Sequence, residues 1–169
     1  MKYTVCLHNG GLDDEPLKNR LMSRWIKAWL GEPWSHVELH RGAIYTGDGM
    51  IVPMGDCYSA SGYEGRVRKK HILFSHSDRW TIIESPDFVR SIDENIMATF
   101  DEIEGRPYDY LGAVLCPIRP TAGLRFAYYC IESVRCMLGL TPFGGTFIPL
   151  VSELYKRNWK LIWHEGKAS

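Results

Sequence analysis

The sequence has no apolar run approaching the length of a membrane span, so no membrane-spanning helix is expected. It lacks an excess of either charge: Lys+Arg and Asp+Glu both number 20, and the formal net charge is zero. Nucleic-acid-binding chains normally carry a basic excess, so no nucleic-acid partner is expected, although a local basic patch is compatible with the balance. No CxxC pair occurs among the five cysteines, Cys6, Cys57, Cys116, Cys130 and Cys136. Close Cys/His pairs of the structural-zinc kind are missing too, so neither metal nor cofactor is expected. The apolar run in Met1 to Gly11 is too short and too poorly flanked for a signal peptide, which predicts a cytoplasmic setting and reduced thiols. Internal repeats and low-complexity linkers are also absent, so residues 1–169 read as a single domain.

What remains is an ordinary globular composition. Apolar residues make up 45% of the chain and charged residues 24%. A chain of 169 residues can bury a core without disulfides or metals. Lys2 to His8 alternates as a first strand, with Tyr3, Val5 and Leu7 on one face. Asp13, Asp14 and Pro16 suit a helix entry. Leu17, Leu21, Trp25, Ala28 and Trp29 follow at helical spacing up to Gly31, and this stripe is expected to pack into the core.

Ser35 to His40, bounded by Pro33 and Gly42, alternates with period 2, so His36, Glu38 and His40 share one strand face. Further strands are expected over Ala43 to Thr46, Met50 to Met54, Cys57 to Ser61, Val67 to Phe74 and Trp80 to Glu84, as an antiparallel meander punctuated by glycines. Ser85 and Pro86 suit the start of a second helix, with Phe88, Ile92, Ile96, Phe100 and Ile103 as its stripe and Gly105 as its end. An apolar stretch at Leu111 to Cys116 and a loop marked by Pro117, Pro120 and Gly123 lead to a third helix beginning near Cys130. The tail is expected to hold a short helix with Leu150 and Leu154, then a last strand.

A cysteine works as a nucleophile only as a thiolate. A helix N-terminus favours that state through its dipole, and its free amides can hold an oxyanion. Tyr129-Cys130-Ile131-Glu132 places Cys130 near such a start, whereas the other four cysteines read as inert. The nucleophile needs a base, normally histidine. Of the six histidines, His8, His36, His40, His71, His76 and His164, only His36 and His40 share a strand face with a carboxylate, Glu38. The same face could instead hold a metal through His36, Glu38 and His40, although the spacing matches no recognised metal motif.

Ser35-His36-Val37-Glu38-Leu39 and Tyr129-Cys130-Ile131-Glu132-Ser133-Val134 resemble the two halves of the permuted NlpC-like papain fold. This group includes the YiiX/YaeF-type proteins and, more distantly, the lecithin–retinol acyltransferase-like enzymes. In this group the His-bearing strand precedes the Cys-bearing helix, as here. Gly105-Arg106-Pro107-Tyr108-Asp109-Tyr110-Leu111-Gly112 resembles the group's Pro-Tyr loop. Cys57 to Ser61 and Gly65 to Arg68 resemble features of phage-encoded members. The likeness spans roughly Trp34 to Leu140.

The resemblance implies an α+β, circularly permuted papain-like fold, with an antiparallel sheet or small barrel and packed helices. It also implies a cysteine peptidase or amidase. Cys130 would attack, His36 would be the base, and Tyr108 would point into the site. The group that orients His36 is Glu38 or Ser59. The substrate would be a peptide or amide, with cell-wall peptides as one class. The alternative is a non-catalytic structural or binding protein that keeps the fold, such as a phage virion component, which makes a virion-associated location the other expectation. Arg66, Arg68, Lys69 and Lys70 could touch an anionic substrate, but read first as a solvated strand edge that deters aggregation. Glu132 is expected to support the helix start.

Overall fold

Alternation sets the first strand, β1 (Tyr3–His8): Tyr3, Val5 and Leu7 are buried in the main core on one face, and Cys6 enters a smaller core on the other. The computed structural model describes residues 1–10, 17–47, 50–74, 77–88, 90–116, 126–141, 145–164 and 167–168. The helix entry expected at Asp13, Asp14 and Pro16, the loop at Pro117, Pro120 and Gly123, and both Gly49 and His76 lie outside these residues.

The remaining strands are β2 (His36–Gly47), β3 (Met50–Ser61), β4 (Arg66–Lys70), β5 (Trp80–Glu84), β6 (Lys160–His164) and the two-residue β7 (Lys167–Ala168). They form one antiparallel sheet in the order β4-β3-β2-β1-β5-β6-β7. The sheet is open, with β4 at one edge and β7 at the other, and is not closed into the small barrel that was the other expectation. The helices are α1 (Leu17–Leu30), α2 (Arg90–Ile103), α3 (Tyr110–Leu115), α4 (Cys130–Met137) and α5 (Phe147–Lys156). The architecture is therefore α+β. Helix α4 lies on β2 and β3 and meets α2 and α5. Val37, Leu39, Ala60, Ile131 and Val134 join the main core there.

Several expectations need correction. Gly42 and Gly55 do not end strands. They face each other across β2 and β3 with φ of 138° and 147°, and the strands run through them as single elements. A Cβ on either glycine would strike the opposing carbonyl, so only glycine permits the close approach. Strand β4 stops at Lys70, short of Phe74. Ser85 does not cap α2, which starts at Arg90. Its amide instead donates to Tyr3 O at 2.8 Å and its Oγ accepts from Tyr3 N at 3.0 Å, so it extends the sheet. The α1 stripe does not enter the core: Leu17, Leu21, Trp25, Ala28 and Trp29 are exposed. Ile26 and Leu30 make the inward contact in their place.

Long-range polar contacts complete the frame. Glu32 is buried, and its carboxylate accepts from Phe147 N at 2.7 Å and Ile148 N at 3.1 Å. Those are the first two amides of α5, whose own N-cap, Thr146, makes no side-chain cap. Asp93 of α2 accepts from Tyr3 Oη at 2.7 Å and from Arg41 Nε and Nη2 at 2.8 Å each, tying α2 to β1 and β2.

Candidate active site

Cys130 is the first residue of α4, preceded by Tyr129 in extended conformation with φ −97° and ψ 171°. No side chain at Tyr129 caps the helix, so the first amides keep their donors for other partners. Glu132, at the third helical position, interacts with the Tyr129 backbone, which is one half of a capping box. Its other oxygen, Oε2, is buried with no hydrogen bond among the described residues. Burial pushes the Glu132 carboxyl up to about 7, the Tyr129 backbone contact opposes that, and Asp109 adds to it.

Ser133 fixes the helix to the sheet. Its Oγ donates to Cys130 O at 2.9 Å and accepts from Ala60 N at 3.0 Å. The Leu39↔Tyr58 pairing puts Ala60 beside Val37, one residue from His36. The start of α4 thus sits at the end of β2 that carries His36. The His36 ring has the Cys130 thiol as a hydrogen-bonding and electrostatic neighbour.

The other side of the ring is held by Glu38. His36 Nε2 and Glu38 Oε1 are 2.7 Å apart, which leaves Nδ1 for the Cys130 side. Glu38 is itself clamped by Arg68, with Nη1 to Oε2 at 2.8 Å and Nη2 to Oε1 at 2.6 Å. Both Glu38 and Arg68 are buried. Burial alone would raise the Glu38 carboxyl, but the Arg68 hydrogen bonds and the His36 charge overcome it and hold it down at about 2. Burial likewise disfavours the His36 cation. The Glu38 charge, the contact with Cys130 and the Glu38 hydrogen bond outweigh that and raise the imidazole to about 10. His36 is therefore an imidazolium at neutral pH.

Arg68 is the site residue that the sequence reading missed, because it lay inside a basic run taken for a solvated edge. Only strand register reveals it. Ser59 pairs with Arg68, and continuing the Leu39↔Tyr58 ladder puts Ser59 beside Glu38. Arg68, Ser59 and Glu38 form a row across three strands, spaced about 4.8 Å apart. Ser59 turns its hydroxyl to Val37 O at 2.7 Å and makes a longer contact to Ala60 O at 3.4 Å. Small and turned aside, it leaves room for the guanidinium to reach Glu38. Of the two groups that might orient His36, Glu38 is the one in hydrogen-bond contact with it.

Tyr108 reaches the site through backbone clamps. Its amide donates to Gly65 O at 2.8 Å, Tyr128 N donates to Pro107 O at 3.0 Å, and Asp109 N donates to Tyr128 O at 3.0 Å. The Tyr108 ring lies against Gly62, where a Cβ would stand 3.4 Å from Cζ. Burial pushes its phenol well up, and the nearby Cys130 adds to the effect. The phenol therefore stays a proton donor.

A cleft of about 750 Å³ runs along His36, Glu38 and Tyr108, with Met22 and Ile26 of α1 on one wall and Trp80 on another. Cys130 is 5% exposed, but His36 and Tyr108 both line this cleft, which reaches to within one side chain of the sulfur. His8 pairs with His36 across β1 and β2 and packs on the Trp80 ring at 4.6 Å. Burial, then the His36 charge, lowers His8 to about 4, so it stays neutral beside the imidazolium.

His40 is placed away from this chemistry. It is fully buried, neither ring nitrogen has a hydrogen bond among the described residues, and its ring packs edge-on against Phe74 at 6.2 Å. Among the described residues no three His, Cys, Asp or Glu side chains are grouped to hold a metal. All five cysteines are free. Burial pushes the thiols of Cys6, Cys57, Cys116 and Cys136 up, away from the thiolate. No helix among the described residues is long and apolar enough to cross a membrane. Compared with known proteins, the chain matches no family model, no curated protein and no solved structure.

Proposed function

We propose that the chain is a cysteine hydrolase of permuted papain-like design that cleaves an amide or peptide bond. The observation that carries this reading is the relay Arg68–Glu38–His36 ending at Cys130, the residue that opens α4. Cys130 Sγ attacks the acyl carbon as a thiolate, and the carbonyl oxygen becomes an oxyanion. The Cys130 amide and the Tyr108 hydroxyl hold that charge. The tetrahedral adduct collapses as the His36 imidazolium gives its proton to the departing amine, leaving a thioester on Cys130. His36, now neutral, takes a proton from water as the water attacks the thioester. The acid leaves, and the Cys130 thiolate and His36 imidazolium are restored. Glu38 holds the ring in orientation and stabilises its charge, and Arg68 fixes Glu38. Ser59 serves as the spacer between Arg68 and Glu38. The resemblance of the two sequence motifs names peptides, cell-wall peptides among them, as the substrate class.

The test is alkylation by iodoacetamide near neutral pH, followed by peptide mapping. Cys130 is expected to react well ahead of a free thiol, and the His36→Ala variant should lose that lead. Parallel assays on amide and peptide substrates should lose roughly 100-fold or more in rate in the same variant. If Cys130 labels no faster than a free thiol, the chain is a non-catalytic protein on this fold.

A further inference from the structure

The α1 helix is amphipathic in an inverted sense, with its broad apolar face turned to water. At about 100° per residue, Leu17, Ala28, Leu21, Trp25, Trp29 and Met22 cover an arc of about 140°, which exposed Lys18 interrupts between Trp25 and Trp29. Leu17 is 60% exposed, Leu21 56%, Trp25 43% and Trp29 42%. Trp25 and Trp29 stack with centroids 6.2 Å apart and planes 8° from parallel. Trp29 Nε1 donates to Val114 O at 2.8 Å, so the face continues onto exposed Leu111 and Val114 of α3.

Charge identifies what this face meets. Leu17–Leu30 contains Lys18, Arg20, Arg24 and Lys27 and no Asp or Glu, while Asp13, Asp14 and Glu15 precede it in the sequence. Arg20, Arg24 and Lys27 fall on the arc that borders the apolar face. Some of these cations also have partners in the protein, as Lys27 Nζ does with Asn9 Oδ1 at 2.7 Å. The attraction comes from the cations spread along the helix, reduced by the acids that precede Leu17 in the sequence, and not from an unpaired head group. Tryptophan and leucine on one side with lysine and arginine beside them is the pattern of a helix lying in an anionic membrane interface. A second copy of the chain fits less well, because two-fold pairing would set the basic arc against itself.

We propose that α1 docks this protein peripherally on an anionic lipid surface, with Leu17, Leu21 and Trp25 entering the interface. The same helix lends Lys18, Met22 and Ile26 to the cleft beside His36, so docking brings the cleft mouth to the membrane. The docking does not rest on chemistry at Cys130, and a Cys130→Ala protein should bind equally well.

The test is co-sedimentation of the full chain with vesicles of equal parts phosphatidylglycerol and phosphatidylcholine, against vesicles of phosphatidylcholine alone. Binding is expected to the anionic vesicles, to shift indole emission to the blue and to weaken with added salt. The double variant Leu21→Glu, Trp25→Ser removes only exposed side chains and should keep its circular dichroism. It should partition roughly tenfold or more weakly. Ile92→Glu, an exposed apolar site on α2, should bind as the parent does. The proposal is overturned by no vesicle binding, or by binding that ignores lipid charge and the double variant. A parent that is dimeric, turns monomeric in the double variant and binds no vesicles overturns it as well.

Discussion

At the scale of single residues, the charge on His36 is set by its neighbours. Glu38 is buried and ionised, and it faces the ring at 2.7 Å. Replacing it with an isosteric amide removes the attraction that outweighs burial, so in Glu38→Gln the imidazole should fall from about 10 back toward or below its ordinary value. A ¹H–¹³C titration of the ring checks this directly. In the parent the His36 Cε1–H signal should hold steady between about pH 5 and 8, and in Glu38→Gln it should move within that range. Arg68→Met makes a different point. It leaves the Glu38 carboxylate buried with His36 alone, and losing one partner of a buried ion pair typically costs about 3–5 kcal/mol. Urea unfolding should register most of that loss. A drop below about 1 kcal/mol, as for a surface pair, would mean Arg68 is solvated after all. Local patterns, a helix start and a period-2 face, offer Cys130, His36, Glu38 and His40 only as candidates; the resemblance of the two motifs singles out Cys130 and His36, and leaves Glu38 and Ser59 as alternatives. Neither reveals Arg68, whose partner lies two strands away and whose neighbours are Arg66, Lys69 and Lys70.

At the scale of elements, what matters is how the Cys130 helix is held. Ser133 bridges Cys130 O and Ala60 N and so locks α4 to β3. In Ser133→Ala a buried amide loses its acceptor, for a cost of about 1–3 kcal/mol. The start of α4 can then drift from β2, so Cys130 alkylation should slow as well. Ser133→Thr keeps the hydroxyl and should restore the alkylation rate even if the added methyl lowers stability. Should Ser133→Ala unfold earlier in urea yet label Cys130 at the parent rate, Ser133 would be structural only. Most elements were legible from periodicity and breakers: β1, β5, α4 and the tail helix fall where apolar spacing puts them. The failures share a cause. Gly42 and Ser85 are breakers by local rule, but cross-strand pairing made Gly42 the tight crossing with Gly55 and made Ser85 an extension of the sheet. The α1 stripe is helical as its spacing predicts but faces outward, because periodicity finds a face without saying what covers it.

At the scale of the whole molecule, the buried titratable groups oppose one another across pH. Burial first of all holds His8 and His40 down at about 4 in the fold, against 6.5 for a free imidazole. The unfolded chain therefore binds more protons between those values, and stability falls as pH drops through that range. Glu38 and Asp93, held at about 2, extend the loss below about pH 4.5. His36 works the other way: its folded value of about 10 gives stability that is complete below about pH 6.5 and lost as pH climbs to about 10. Glu132, raised to about 7 by burial, adds a loss between about pH 4.5 and 7 in the same direction. Between pH 4.5 and 6.5 the two histidines outweigh Glu132. Above 6.5 the losses from His36 and, up to about pH 7, Glu132 remain, and above about pH 9 the buried thiols of Cys6, Cys57, Cys116 and Cys136, raised by burial, add to them. Stability should therefore peak near pH 6.5 and fall on both sides, as read from urea midpoints across the range. His36→Gln should flatten the limb between about pH 7 and 9 while leaving the acid one. His40→Phe, which replaces a ring with no hydrogen bond among the described residues by an apolar one, should flatten part of the acid limb. A maximum above about pH 8, or an alkaline limb unchanged by His36→Gln, would show that the imidazole does not carry its charge through neutral pH, and with it would go the ion-pair form of the Cys130 site.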